Sequence, residues 1–303
     1  MPSNDGGFAG IAPRGDMQVK AVAGEVVRLR FHGAQSELRD CAHRARAGDS
    51  AFTIAPMQLQ DILYFQGFGT RRICAGLIQQ GHVQVDFGEG LVLCDDATQW
   101  VDVREGLNYQ VQGVDWPYHD KAYVLLHKPA GYECSHKPSA WPSLYTLLPA
   151  PLRFRPQKGA VQGVQAVGRL DQDTTGMLVL TDDGQLIHRM SSPRHHVPKV
   201  YEVTTADPLD EKQVQRLLDG VVLDDSPKPV KAAACEAVAE HHLRLTLTEG
   251  KYHQVKRMLA AVGNKVVGLH RSQIGAMPLP ADLAPGQWRW LSPDELKLLA
   301  TNA

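Results

Sequence analysis

Residues Gly168-Arg169-Leu170-Asp171-Gln172-Asp173-Thr174-Thr175-Gly176 set two carboxylates and an arginine between glycines in one short segment. A carboxylate on constrained backbone beside a cation stays ionised, and can then serve as nucleophile, base or metal ligand. The metal reading has a specific form: Asp171, Asp173, Thr175, Gly176 and Asp182 fall at positions 1, 3, 5, 6 and 12 of a calcium loop. Such a loop needs a bidentate Glu at its last position and a helix on each side. Here the last position is Asp, the stretch from Gly159 to Val167 is rich in Gly and Val, and Met177-Leu178-Val179-Leu180 reads as a strand before the turn Asp182-Asp183-Gly184. That context disfavours calcium. An Asx-turn, with Asp171 and Asp173 bonding nearby backbone, is the structural alternative to a catalytic carboxylate. The strand that follows places the loop on a buried sheet edge.

A second cluster follows Glu249-Gly250-Lys251-Tyr252, where a helix is expected over His253 to Val262, closed by Gly263. Val255, Met258, Leu259 and Val262 share its apolar face, while His253, Lys256 and Arg257 share another. Those cations either form a solvated basic face or reach Asp171 and keep it charged. From Lys251 to Arg271 there are five Lys or Arg and no acid, and Arg153, Arg155, Lys158, Arg169, Arg189, Arg194 and Lys199 add to the positive charge nearby. A polyanion suits this half of the chain. Tyr201, on a strand expected from Lys199 to Val203, is either a core residue or a flat surface for a base. His195-His196 and His241-His242 lack the partners of a metal site, so no metal is expected.

The chain as a whole is not basic. Its 303 residues carry 32 Lys and Arg against 33 Asp and Glu, so any nucleic-acid contact must be local. Cys41, Cys74, Cys94, Cys134 and Cys235 are scattered without metal-type pairing, as reduced thiols are. There is no membrane-length apolar run and no signal-peptide pattern, which implies a cytoplasmic protein with no membrane partner.

The elements that must position these residues divide the chain into parts. Residues 1–56 are expected to be a weakly ordered extension, and Met57 is itself a candidate native start. Over 57–113, helices near Leu59 to Phe65 and Arg71 to Gln80 precede short strands, with Gly81 ending the second helix. A linker is expected over 114–121. Residues 122–303 form the larger domain: a strand at Ala122 to His127, a helix start after Trp141-Pro142-Ser143, and a polar, mobile, RNA-facing loop from Pro151 to Gly163. Helices at Gln185 to Met190 and Asp210 to Asp219 and a strand at Leu243 to Leu247 follow. The irregular mixture indicates an α+β fold with a mixed or antiparallel sheet.

Two resemblances follow from these residues. Gly67-Phe68-Gly69-Thr70-Arg71-Arg72 and Ile78-Gln79-Gln80-Gly81-His82-Val83-Gln84-Val85 make 57–113 similar to an S4 RNA-binding domain, with Arg71, Arg72 and His82 as its contacts. The segment departs from that pattern in holding three Arg against seven Asp or Glu, a weak grip on phosphate. The Gly168–Gly176 segment, Lys199-Val200-Tyr201, and Glu249-Gly250-Lys251-Tyr252-His253-Gln254-Val255-Lys256-Arg257-Met258 resemble, in order and spacing, the three motifs of RsuA-type ribosomal RNA pseudouridine synthases. Val266-Val267-Gly268-Leu269-His270-Arg271 resembles the small-subunit, 16S branch of that family.

The resemblance implies a pseudouridine synthase catalytic domain that isomerises one uridine, with no cofactor. It implies Asp171 as nucleophile or base, Lys256 as its basic partner, and Tyr201 stacked on the base. Arg169 would fill the gap left by a flipped uridine, and Arg194, Lys199, Lys251, His253 and Arg257 would contact RNA. The expected partner is 16S rRNA in a small-subunit assembly intermediate, bound by a monomer. The alternatives are a 23S rRNA enzyme and a non-catalytic ribosome-associated RNA-binding protein.

Overall fold

The computed structural model describes residues 55–157, 162–192 and 195–301. All but the last two residues of the expected extension lie outside them, as do Lys158 and Arg194. Leu59, Ile62 and Leu63 recur at helical spacing, and the helix Leu59–Phe65 buries all three. Helix Arg71–Gln79 begins at Thr70, whose hydroxyl accepts the Ile73 N–H at 3.4 Å. It ends where Gly81, at φ 75°, donates to the Ile78 carbonyl.

These helices accompany a four-stranded antiparallel sheet in the order Leu91–Cys94, Val83–Asp86, Asn108–Val111, Val114–Pro117. Two helices with a small antiparallel sheet are the elements expected over 57–113. The last strand corrects the sequence reading. Val114 to Pro117, expected to open a linker, pairs with Asn108–Val111, and Tyr118 is buried in the same core. Gln112 and Gly113 both take positive φ, 52° and 80°, which makes a two-residue hairpin turn and folds the chain straight back. Gln-Gly lacks the usual Asn or Asp, so the turn was hidden.

The larger body is a nine-stranded mixed sheet. Its main path runs Ala234–Ala239, His242–Leu247, Lys199–Thr205, Val266–Ile274, Thr175–Thr181, Tyr123–Lys128, Trp288–Trp290. One neighbouring pair, Val266–Ile274 with Thr175–Thr181, is parallel. The strand after the Asp171 loop is therefore central rather than an edge. Met177 and Val179 enter one core beside Leu186, Met190 and Leu299, whereas Leu178 and Leu180 enter another beside Leu144, Leu148 and Leu152. Burial on both faces explains the unbroken apolar run. Gly176 has no substitute at the parallel junction, because a Cβ there would lie 2.3 Å from the Arg271 carbonyl oxygen.

Pro151 to Arg155 is also not a mobile loop. Ala150–Phe154 is helical, and Arg155, expected to add to a phosphate-binding patch, is 3% exposed. Its Nε donates to Asp182 Oδ2 at 2.6 Å, Nη1 to Gln66 Oε1 at 2.9 Å, and Nη2 to the carbonyls of His119 and Asp120 at 2.7 and 3.0 Å. Asp182 Oδ1 accepts the Ala122 N–H at 2.8 Å. This saturated pair clasps the small domain to the large one, and Gly67 fits beneath Pro151 where a Cβ would lie 2.1 Å from its carbonyl oxygen. Asp182 thus sits at the far end of a seven-residue strand from Asp171, roughly 20 Å away, and the two cannot share a calcium ion.

Candidate active site

The Asp171 loop is shaped by a lysine that carries no local signal in the sequence. Lys128, fully buried, donates from Nζ to the carbonyls of Pro129, Asp171 and Thr174 at 3.0, 3.0 and 2.8 Å, with Gln172 at 3.3 Å. Burial pushes its ammonium below the ordinary lysine value. Gly131 N–H donates to the Gln172 carbonyl at 2.7 Å, Thr174 N–H to that of Asp171 at 3.1 Å, and Leu170 is anchored in the core. The backbone wraps an ammonium group, which turns the Asp171 side chain outward to line an open cleft of about 760 Å³.

Two residues of the second cluster meet that side chain. His253 Nε2 lies 3.4 Å from Asp171 Oδ1, and Lys256 Nζ lies 3.4 Å from Oδ2. Both distances exceed a charge-assisted hydrogen bond. Lys256 bonds instead to Asp173, at 2.7 and 2.8 Å to its two oxygens. Asp173 is the primary partner of the lysine that the resemblance assigns to Asp171. Burial alone would raise the Asp173 carboxyl, but the hydrogen bond and the charge of Lys256, with smaller contributions, together hold the group below the usual carboxylate value. Burial likewise works against the Lys256 ammonium, but the bond to Asp173 and the charges of Asp171 and Asp173 raise it above the lysine norm.

Helix Gln254–Ala261 delivers these residues, and its start is unusual. His253 sits in the left-handed region at φ 47°. Gln254, buried, takes the capping role: its Oε1 accepts the Lys251 N–H at 2.7 Å and its Nε2 donates to Glu249 at 3.3 Å. Tyr201 lines the cleft from the strand Lys199–Thr205 and is half-buried between two cores. A β-bulge beside it shifts the pairing from Val200–Gln273 to Tyr201–Arg271, which re-aims the ring.

Lys199 and Arg271 also line the cleft. Burial, with Arg271 nearby, pushes the Lys199 ammonium down to about 8, and its Nζ donates to the Val197 carbonyl at 2.9 Å. Arg271 is 2% exposed; Nε donates to the Met177 carbonyl at 2.8 Å, while Nη2 has no partner among the described residues. A buried donor without an acceptor is rare outside functional sites.

The remaining expected contacts separate clearly. Arg169, exposed, and Lys251 line the cleft. Arg257 does not; it bonds to Asp225 of the hairpin Val221–Leu223 and Ser226–Val230, and to the Tyr252 carbonyl at 3.2 Å. Arg71 is held by Asp61 at 2.6 Å and lies over the Tyr64 ring, while Arg72 and His82 are exposed on the small domain. These three are outside the cleft. Among the described residues, no group of His, Cys, Asp and Glu is arranged to hold a metal ion, and no helix is long and apolar enough to cross a membrane.

The mixed sheet thus sets a carboxylate beside Lys256 in an open cleft that Arg169, Lys199, Lys251 and Arg271 also line. The family model described as RNA pseudouridylate synthase matches residues 122–261. The chain is 37% identical over 228 residues to ribosomal small subunit pseudouridine synthase A of Haemophilus influenzae, covering 75% of this chain and 88% of that protein. It is 45% identical over 174 residues to the protein of the same name from Pasteurella multocida, covering 57% and 72%. A crystal structure of a pseudouridylate synthase aligns over 80% of this chain and 99% of its own, with 33% identity and a TM-score of 0.53. The chain belongs to the RNA pseudouridylate synthases, and within them to the RsuA-type enzymes.

Proposed function

We propose that this chain converts one uridine of small-subunit, 16S ribosomal RNA to pseudouridine, with Asp171 as the group that acts on the ribose. The observation that carries the assignment of Asp171 is its placement: a carboxylate lining the cleft, with His253 and Lys256 each at 3.4 Å and neither bond fully made. The reaction breaks C1′–N1 and joins C1′ to C5; a proton leaves C5 and N1 gains one, with no net change in atoms or electrons. It therefore calls for no redox group or donor. Asp171 either attacks C1′ and displaces N1, or removes the C2′ proton to form a glycal, and both routes need an ionised carboxylate on one face of the sugar. Lys256, 3.4 Å from Asp171 Oδ2, sets a positive charge beside it. Tyr201 stacks on the detached uracil while it turns and assists loss of the C5 proton, and Arg169 occupies the space the uridine leaves.

The small-subunit assignment rests on relatives carrying that name at 37% and 45% identity. We take the enzyme to act as a monomer, with Asp171, Tyr201 and Lys256 supplied by the same chain. An open cleft accepts a flipped nucleotide only where the RNA strand is accessible, and we therefore place the substrate in a small-subunit assembly intermediate in the cytoplasm. Pseudouridine mapping in both large ribosomal RNAs of a strain lacking this gene tests the reading. One site in 16S RNA should disappear, return with the wild-type gene and stay absent with Asp171→Asn. Loss of a 23S site instead would move the target, and full activity of Asp171→Asn would remove Asp171 from the mechanism.

A further inference from the structure

Trp141 is a large apolar side chain left 47% exposed on the wall of the cleft. The segment that carries it is not loose. The Glu133 carboxylate accepts the backbone N–H groups of Ser139, Ala140 and Trp141 at 3.0, 2.9 and 2.9 Å, and the Ser139 hydroxyl as well. Those bonds from Ala140, Ser139 and Trp141 hold the Glu133 carboxyl down to about 2, so the latch is charged at any physiological pH. At the base, Glu133 N–H donates to the Pro142 carbonyl and Leu144 N–H to that of Glu133, both at 2.9 Å, and the Ser143 hydroxyl donates to the Ser135 carbonyl at 2.6 Å.

The indole also has a defined place relative to the chemistry. A Cβ added to Gly131 would meet Trp141 Cε3 at 4.0 Å, and Gly131 N–H is bonded to the carbonyl of Gln172, the residue after Asp171. The ring therefore lies over the turn that supports the catalytic loop. Orienting a tryptophan toward solvent on a latched loop exposes apolar surface that folding does not need. Tyr252, the other exposed ring on the cleft, already has one face covered, by His253 at 3.8 Å and 18°.

We propose that Trp141 is a stacking platform for an unpaired base flanking the target uridine. The occupant is single-stranded RNA, since a base reaches an indole face only when out of a duplex, and the cations Arg169 and Lys251 on the same cleft suit its phosphates. The inference builds on the proposed reaction, naming what the enzyme holds beside the reacting nucleotide. Because Glu133 has already ordered the loop, little conformational freedom is lost when the base docks.

The test uses the full chain and a 16S RNA fragment that the wild type modifies, with affinity measured separately in an Asp171→Asn background, where turnover does not intervene. Trp141→Ala and Trp141→Leu should each weaken binding roughly tenfold, and Trp141→Phe should restore most of it. In the active enzyme the loss should appear in KM, with kcat within about twofold. RNA with an abasic residue on one side of the uridine should bind wild type and Trp141→Ala equally. Trp141→Leu binding like wild type, or an abasic series in which the Trp141 effect persists on either side, would overturn the proposal. Failure of wild type to form pseudouridine would instead count against the proposed reaction, and the affinity comparison would still decide the role of Trp141.

Discussion

The strand Thr175–Thr181 carries a carboxylate and a cation at each end, and the two ends differ in almost every physical respect. At one end Asp182 and Arg155 are 4% and 3% exposed, bonded at 2.6 Å, with each remaining Arg155 nitrogen also donating. At the other, Asp171 is 28% exposed, its neighbours His253 and Lys256 stop at 3.4 Å, and the lysine gives its short bonds to Asp173. A saturated buried pair has no capacity left for a ligand and can only hold parts together. A partly exposed carboxylate with a lysine and a histidine nearby but incompletely bonded keeps its oxygens accessible. Charge pairing is common to both ends; hydrogen-bond saturation and access are what separate them.

Substitutions should separate the two ends. Asp171→Asn is expected to lower pseudouridine formation by at least about 10³-fold while leaving the urea midpoint near wild type. If unfolding shifts as much as activity, Asp171 belongs with Asp182 as a structural residue. Arg155→Met should cost about 3–5 kcal/mol by stranding Asp182, read from equilibrium denaturation. If stability is unchanged, the clasp between the domains is not what joins them. Lys256→Met should reduce kcat roughly 10²-fold yet alter stability by under about 1 kcal/mol, because the pair it leaves is partly exposed.

The pH dependence follows from the directions of the shifts. Asp173 is lowered in the folded state, so its contribution is complete above the unfolded carboxylate range, near 4, and is lost as pH falls through the depressed value. Lys256 is raised, so its contribution is complete below the unfolded lysine value, near 10.4, and is lost as pH rises through the higher folded one. The pair is therefore flat across neutrality. Lys199, pushed down to about 8, titrates nearer to neutrality than either. Below that value its buried charge opposes folding, and stability gains as pH rises from about 8 toward 10.4. The smallest expected effect is at this residue: RNA affinity should fall between pH 7 and 9, with the salt slope dropping by about one unit, and Lys199→Gln should be insensitive to that change.

Legibility in the sequence followed the range of the interaction. Asp171 stood out because its arginine, glycines and apolar strand are local, and helix Gln254–Ala261 because its apolar face repeats every three or four residues. The hairpin at Gln112-Gly113 was missed because its turn lacks the usual residues, and the Arg155 helix because a buried arginine looks in sequence like an exposed one. Arg257 looked equivalent to Lys256, its neighbour; only the hairpin carrying Asp225 draws one to the outside while the other joins the cleft.

By itself the sequence determined the candidates: a carboxylate, a basic cluster and a tyrosine, in an order that matches the motifs of one family. The tertiary structure decided who partners whom. Lys256 meets Asp173 across 83 residues, Lys128 folds the reactive loop around its ammonium from 43 to 46 residues away, and Arg155 clasps Gln66 across 89. Hydrogen bonds reach only about 3 Å, so their partners are set by the packing of strands and helices, which no local pattern encodes.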